Sequence, residues 1–147
     1  MIMPQTDFDT FRTYIEEAEG EEVPEPTADQ LASVEFWWNI GNDFVQYVDR
    51  RIEDPEPFEW YEHFLDKTIE AFQYAHQLMQ QTQTTNIMIQ TFLPRDLAQS
   101  YAHRGRLNMA QGAYDAAFLD FDAAVSYQPE AEYQKLRAEA LSHLPSE

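Results

Sequence analysis

The chain of 147 residues contains no cysteine and only four glycines. Without cysteine, neither disulfide bonds nor thiolate metal sites can form, and the sequence has no glycine-rich phosphate loop. No stretch approaches the roughly 18 apolar residues that a membrane-spanning helix needs. The N-terminus has neither the basic start nor the apolar run of a secretory signal. We therefore expect a cytoplasmic protein that does not associate with membranes.

Basic residues are also scarce. Nine lysines and arginines stand against 27 acidic residues, and the net charge is −18. The excess is uneven, because residues 1–60 carry −13 and residues 61–147 carry −5. Direct binding of nucleic acid needs clustered basic side chains and is not expected. A basic protein partner would suit such a field, but a solvated, self-repelling surface that keeps the chain soluble is the simpler explanation.

Patterns typical of enzymes are absent as well. None of the four histidines, His63, His76, His103 and His143, forms a known metal-binding pattern with a neighbour. Glu139 and His143 are four residues apart, but two ligands are weak evidence for a metal. The sequence has no serine nucleophile elbow, and its many carboxylates single out no acid–base pair. We therefore expect no catalysis, no cofactor and no bound metal.

The first 26 residues predict a short acidic helix and a linker. Thr6 is placed to begin the helix, with Asp9 answering it as in a capping box, and Gly20 is placed to end it. Apolar residues recur at helical spacing at Phe8, Phe11, Tyr14 and Ile15. Residues 21–26, EEVPEP, have the composition of a stiff acidic linker. We treat residues 1–26 as a separate segment from residues 27–147.

Residues 27–79 predict two further helices. Thr27 caps the first, with Gln30 completing a capping box, and one helix is expected to continue through Val48. Its apolar band is wide and holds Leu31, Val34, Trp37, Trp38, Gly41, Phe44, Val45 and Val48. Prolines at 55 and 57 break the pattern, and a second helix follows from Phe58 to Met79.

The next stretch connects these helices to the C-terminal part of the chain. Residues 80–86 form a polar tract that predicts a connection. The short run Ile87–Ile89 fits either a strand or a helical turn, because its periodicity is too brief to decide. Pro94 suits the first position of the next helix.

Residues 97–129 predict two helices that meet at Gly112. Residues on one face of the first helix are Tyr101, Gly105 and Asn108, and those on one face of the second are Ala117, Phe121 and Ala124. Pro129 stops the second helix. Small residues on facing helices let the two backbones approach closely.

This order resembles the tetratricopeptide repeat, a helix–turn–helix unit of about 34 residues with the pattern W-x2-L-G-x2-Y, then A-x3-F, then P. The clear match covers residues 98–131, where Tyr101 takes the aromatic opening position and Gly105, Ala117, Phe121 and Pro129 follow in order. Arg104 and Asn108 depart from the leucine and tyrosine of the pattern.

A degenerate match covers residues 34–80. Its first half, Trp37-x2-Ile40-Gly41-x2-Phe44, follows the pattern, and Thr68, Phe72 and Ala75 align with the second half, although the closing proline is missing. The resemblance implies an all-α fold with antiparallel helix pairs stacked as a short solenoid. A last helix after Pro129 would cap the stack, since a repeat cannot bury its apolar face alone.

The resemblance also implies a binding face, because the first helix of each pair lines a concave groove in this family. The corresponding residues are Glu35, Trp38, Asn39 and Asn42 in the first pair and Gln99, Ala102, His103, Arg106 and Met109 in the second. The planar guanidinium of Arg106 suits a partner carboxylate. Trp38 points about 100° away from Trp37, so it either packs against the N-terminal helix or offers a partner an aromatic anchor.

Two functions fit these observations. The first is a non-enzymatic adaptor that binds a peptide or helix of another protein in the concave groove. The alternative is an acidic stoichiometric inhibitor, an immunity-type protein or a chaperone that masks a basic partner with its acidic N-terminal half. The sequence does not choose between a monomer and a homodimer.

Overall fold

The structure is a computed structural model that describes residues 5–51, 56–82 and 86–145. Within these ranges the chain is helical and has no strand, which confirms the all-α prediction. The helices are α1 (Gln5–Glu19), α2 (Ala28–Leu31), α3 (Val34–Arg50), α4 (Phe58–Thr82), α5 (Ile87–Ala110), α6 (Tyr114–Tyr127) and α7 (Ala131–Ser142). None of the described helices combines the length and apolar character that a membrane crossing requires.

The chain divides into two compact units, residues 1–93 and residues 94–147, and the boundary falls inside α5. The domain boundary predicted at residue 26 stays a prediction. In the structure, α1 packs against α3 and α4 within the first unit, because its apolar residues Phe8, Phe11 and Ile15 are buried there.

Local capping explains where α2 and α3 begin. The predicted capping box is confirmed, since the Thr27 hydroxyl accepts from the Gln30 N–H at 3.1 Å and the Gln30 side chain accepts from the Thr27 N–H at 2.8 Å. The single helix expected through Val48 is wrong, however. The chain leaves the helical conformation after Leu31, and Ser33 starts α3 by accepting from the Phe36 N–H at 3.3 Å.

Two other predicted helix starts are also wrong. Thr6 lies within α1 rather than before it, because that helix already begins at Gln5. Pro94 lies inside α5, which begins seven residues earlier at Ile87. Asn86 starts α5, since its side-chain oxygen accepts from the Ile89 N–H at 3.2 Å. The run Ile87–Ile89 is therefore helical. Parts of both predicted connections, residues 52–55 and 83–85, lie outside the described residues.

The first unit has an aromatic core between α3 and α4. Its fully buried rings include Trp37, Phe44, Phe64 and Phe72. At Gly41 of α3 the backbone comes so close to Phe72 of α4 that a Cβ would collide with the ring. The glycine therefore sets how closely the two helices pack.

The second unit repeats this contact with a smaller core. A Cβ at Gly105 of α5 would lie 2.6 Å from the ring of Phe121 on α6. Gly112 lies in the connection between α5 and α6 with φ +75°, a conformation that favours glycine. Helix α7 packs against α6, and alanines dominate the buried clusters, which contain Ala98, Ala102, Ala124 and Tyr133 in one and Ala117, Phe121 and Ala140 in the other.

We expect Gly105→Ala to destabilise the chain by up to about 2 kcal/mol. Overpacking a core costs roughly 1–3 kcal/mol, and the better helix propensity of alanine offsets about 1 kcal/mol of that. Chemical unfolding followed by circular dichroism measures the change. In a Phe121→Leu background the ring is gone, so the same substitution should cost nothing. An equal cost in both backgrounds would contradict the proposed clash.

Candidate functional site

The residues predicted on α3 lie at its surface. Asn39 is exposed, whereas Trp38 and Asn42 are half-buried. The Asn42 amide donates to the Trp38 carbonyl at 3.0 Å within the helix. The exposed Glu35 carboxylate accepts from the Asn86 side chain at 3.3 Å, which ties α3 to the start of α5. The ring contacts described for α1 involve Phe36 and Trp37 of α3, next to Trp38.

The residues predicted on α5 divide into surface and core. Gln99 and Arg106 are exposed and His103 is half-buried. Arg106 donates to the Glu132 carboxylate of α7 at 2.6 Å. Met109 packs against the cluster around Phe121. Ala102 does not face outward as expected. It is fully buried, because it packs in the cluster with Ala98, Ala124 and Tyr133.

The surface residues of α3 and α5 occupy matching positions relative to the packing glycines. Asn42 follows Gly41, and Arg106 follows Gly105. Asn39 and His103 each precede their glycine by two residues, and Glu35 and Gln99 precede it by six. Gly41 lies on the face of α3 that contacts Phe72, and Gly105 lies on the face of α5 that contacts Phe121. The matched polar side chains therefore lie on corresponding parts of the two helices.

A buried polar cluster joins α5 to α6. The Asp120 carboxylate, only 4% exposed, accepts from Arg104 through Nε at 3.1 Å and through Nη2 at 2.8 Å. It also accepts from Asn108 Nδ2 at 3.0 Å. The Arg104 guanidinium lies over the Tyr101 ring, 5.5 Å from its centroid. One carboxylate thus accepts hydrogen bonds from two side chains of the facing helix.

This cluster is not among the predicted sites, although a signal for it is present in the sequence. Arg104 and Asn108 are the two positions that depart from the repeat pattern, and both donate to Asp120. Two polar residues four positions apart on a packing face, together with Asp120 next to the packing residue Phe121, indicate a buried hydrogen-bonded cluster. Because buried charges need partners, the two departures belong to a single interaction.

We expect Asp120→Ala to destabilise the chain by about 2–4 kcal/mol, because it leaves Arg104 and Asn108 without their shared acceptor. Asp122→Ala is the matched control. It breaks the exposed ion pair with Arg137, whose N···O distance is 2.9 Å, and should cost under about 1 kcal/mol. Chemical unfolding of both variants measures the difference, and similar costs would show that the buried cluster contributes no more than a surface pair.

Helix α1 is held on the first unit by one carboxylate as well as by its apolar residues. Glu17 accepts from the Tyr47 hydroxyl of α3 at 2.9 Å and from the Trp60 indole N–H of α4 at 3.1 Å. Arg12 folds the linker back, since it donates to the Val23 carbonyl at 2.9 Å and to Glu25 at 2.8 Å. The acidic residues of α1 and of the linker 21–26 therefore pack as part of this unit.

Two further carboxylates meet at a small notch between α1 and α3. Glu19 and Asp43 border it, and its apolar lining is Ile15, Ala18, Ile40 and Phe44. Partial burial raises the pKa of Asp43 above its usual 3.8, and the positive charge of nearby Arg50 offsets only part of this increase. Partial burial, followed by the charges of Asp43 and Glu21, raises the pKa of Glu19 above its usual 4.5. Ionisation of these groups therefore opposes the docking of α1.

We expect Asp43→Asn to stabilise the chain at neutral pH by under about 1 kcal/mol, since the side chain keeps much of its hydration. A carboxyl whose pKa is raised on folding binds its proton more tightly in the folded state, so its ionisation costs stability. The gain should vanish as the pH falls through the raised pKa, where Asp43 is itself protonated. Thermal unfolding across this range measures the effect. Asp49→Asn, which removes the same charge from an exposed position on α3, should give less, and an equal gain would contradict the effect of the notch.

Among the described residues, no three histidine, aspartate or glutamate side chains gather as a metal site would require. Burial lowers the pKa of His76, and His143 stacks on Tyr114 with the ring centroids 4.2 Å apart.

Comparison of the chain with protein-family models, with curated proteins and with solved structures found no match in any of the three. Membership of the tetratricopeptide repeat family therefore stays a prediction.

Proposed function

We propose that the chain is a non-enzymatic protein–protein interaction module built from two tetratricopeptide-like helix pairs, α3 with α4 and α5 with α6. One observation carries the proposal. The contact of Gly41 with Phe72 recurs as the contact of Gly105 with Phe121, at the glycine and phenylalanine positions of the repeat pattern. Each outer face, that of α3 in the first unit and that of α5 in the second, would bind a peptide or helix of a partner.

Exposed residues on the two glycine-bearing helices suit such binding. Asn39 on α3 is exposed, and so are Gln99 and Arg106 on α5. Amide side chains can both donate to and accept from a peptide backbone. The predicted binding residues on these faces therefore offer exposed amides, the carboxylate of Glu35 and the cation of Arg106, rather than the cluster of bases that a strongly anionic ligand would need.

Arg106 is the residue best placed to bind a partner carboxylate. Its present acceptor, Glu132, is 65% exposed, and Arg106 itself is 46% exposed. An exposed ion pair contributes at most about 1 kcal/mol, so a partner carboxylate can replace Glu132 at little cost. A bidentate contact with the planar guanidinium would then add specificity.

Masking of a basic partner is a second candidate function, favoured by the position of the charge. Residues 1–93 carry a net −15 of the total −18. The acidic segment that contributes to this charge is held in place by Arg12 and Glu17. Removing residues 1–26 would uncover Trp37 and Phe64, which pack against α1. Substitution of exposed acids is therefore a cleaner test than truncation.

The test is capture of partners from native lysate by the immobilised chain, read by mass spectrometry at low and high salt. The proposed contacts are removed in Trp38→Ala/Arg106→Ala. The acidic surface is weakened in Glu21→Gln/Glu22→Gln/Asp49→Asn. Glu132→Ala is the matched control, because it removes the present acceptor of Arg106 and leaves the proposed contacts intact.

We expect the Trp38→Ala/Arg106→Ala variant to capture at least tenfold less of its partner, since hydrogen bonds to charged groups contribute about 1.5–3 kcal/mol to binding. The Glu132→Ala and acid-substituted variants should retain it. Masking would be favoured instead if the captured partner is basic, is not captured by the acid-substituted variant and is not captured at high salt. Equal capture by all variants would contradict both functions.

A further inference from the structure

Helix α1 occupies its place in the first unit in the manner of a bound peptide. Its apolar anchors Phe8, Phe11 and Ile15 are spaced by three and four residues and are 1%, 1% and 6% exposed. This spacing is the one by which an amphipathic helix fills a groove. Tyr14 adds an edge-on contact to Phe64, with the ring centroids 4.9 Å apart.

The groove that receives α1, here called the α1 groove, has its floor at Trp37, Phe64 and Tyr74. Trp37 lies 5.2 Å from Phe11 and 5.4 Å from Tyr74, measured between ring centroids. Its indole N–H donates to the Leu31 carbonyl at 2.9 Å, a bond that does not involve α1. Phe64 packs against Phe44 at 5.7 Å. Residues outside α1 therefore support the floor, which favours a groove formed before a helix binds.

The rim of the α1 groove recognises one carboxylate. Tyr47 and Trp60 both donate to Glu17, nine residues after the first anchor. Lys67 lies over the rings of Phe11 and Tyr14, with its nitrogen 5.0 Å and 5.8 Å from their centroids. These contacts fix the position of the helix along the groove.

The charge of α1 opposes its docking. Residues 5–19 carry five carboxylates and one arginine, a net −4, while the rest of residues 1–93 carries −11. Glu19 on α1 and Asp43 on α3 border the same notch. A helix with the same anchors and a basic outer face would replace this repulsion with attraction.

The connection to α1 also permits release. Gly20 ends the helix with φ +78°, and residues 21–26, with two prolines, lead to α2. The polar contacts described for this linker, to Arg12 and Glu16, hold it to α1 itself. Helix and linker can therefore leave the groove together without breaking those bonds.

We propose that the α1 groove is a binding site for a helix of another protein, and that α1 fills it from within the same chain. The partner helix carries apolar anchors at positions i, i+3 and i+7, a carboxylate at i+9 and a basic outer face. This inference goes beyond the proposed function, because it uses Trp37, Phe64 and Tyr74 rather than the outer faces of α3 and α5. Either one can fail alone.

Three labelled peptides test the proposal against the full-length chain. The first has the sequence of residues 5–19. The second carries Asp9→Lys, Thr13→Lys and Glu19→Lys at exposed positions, which changes the net charge from −4 to +1. The third adds Phe11→Ala to the second. Each is titrated by fluorescence anisotropy into the wild-type chain, into a Phe11→Ala chain whose own α1 is weakened, and into a Leu141→Ala control that alters an exposed apolar residue of the second unit.

We expect the basic peptide to bind the Phe11→Ala chain at least tenfold more tightly than the wild-type or Leu141→Ala chain, because the intramolecular competitor is weakened. The acidic peptide should bind more weakly and gain affinity with salt, and the peptide without Phe11 should not bind. Equal binding by the two basic peptides would reduce the effect to surface charge and overturn the proposal. Absence of binding to a folded Phe11→Ala chain would do the same.

Hydrogen exchange of the wild-type chain tests the proposal even if the Phe11→Ala chain does not fold. Amides of α1 should exchange faster than those of α3 and α4, and the basic peptide should accelerate α1 while α3 stays protected. Exchange of α1 only together with α3 and α4 would make it a permanent part of the core and overturn the inference.

Discussion

The approach of a phenylalanine ring to a glycine backbone is the contact on which both helix pairs depend. Phe72 and Phe121 are fully buried, and each ring fills the space that a Cβ on Gly41 or Gly105 would need. A larger residue at either glycine forces a ring or a helix to move, because protein interiors have few voids to take up the change. The same contact decides which residues of α3 and α5 face outward, so packing also places the candidate binding residues.

The two units satisfy this constraint with different cores. The first buries several aromatic rings, among them Trp37, Phe44 and Phe64, and the last two contact each other. The second has mostly alanines around Phe121 and adds the buried Asp120 cluster. Apolar contacts tolerate small shifts, whereas hydrogen bonds to a buried carboxylate require defined distances and angles. We infer that Arg104 and Asn108 help to fix the alignment of α5 and α6, a role that apolar residues in the repeat pattern would fill by shape alone.

Local signals in the sequence predicted much of the helical fold, and interactions between distant residues account for what they missed. The capping box at Thr27 and the turn at Gly112 depend on residues within a few positions. Pro94 was predicted to begin a helix because a proline inside a helix generally destabilises it by about 3 kcal/mol. The buried residues Ile89, Leu93 and Leu97 hold α5 together around it. The hydrogen-bond partners of Glu17 lie 30 and 43 positions further along the chain, and the partner of Arg106 lies 26 positions further. Such partners could not be found from local spacing.

The acidic charge of the chain has a structural consequence through α1. Apolar anchors hold this helix at short range, while like charges on the helix and on the rest of the unit repel over a longer range. Salt shortens that range to about 8–10 Å near physiological ionic strength, and protonation of Glu19 or Asp43 removes part of the repulsion. The docking of α1 is therefore a balance between apolar contact and charge. A partner that supplies opposite charge with the same anchors shifts this balance without requiring any change in α3 or α4.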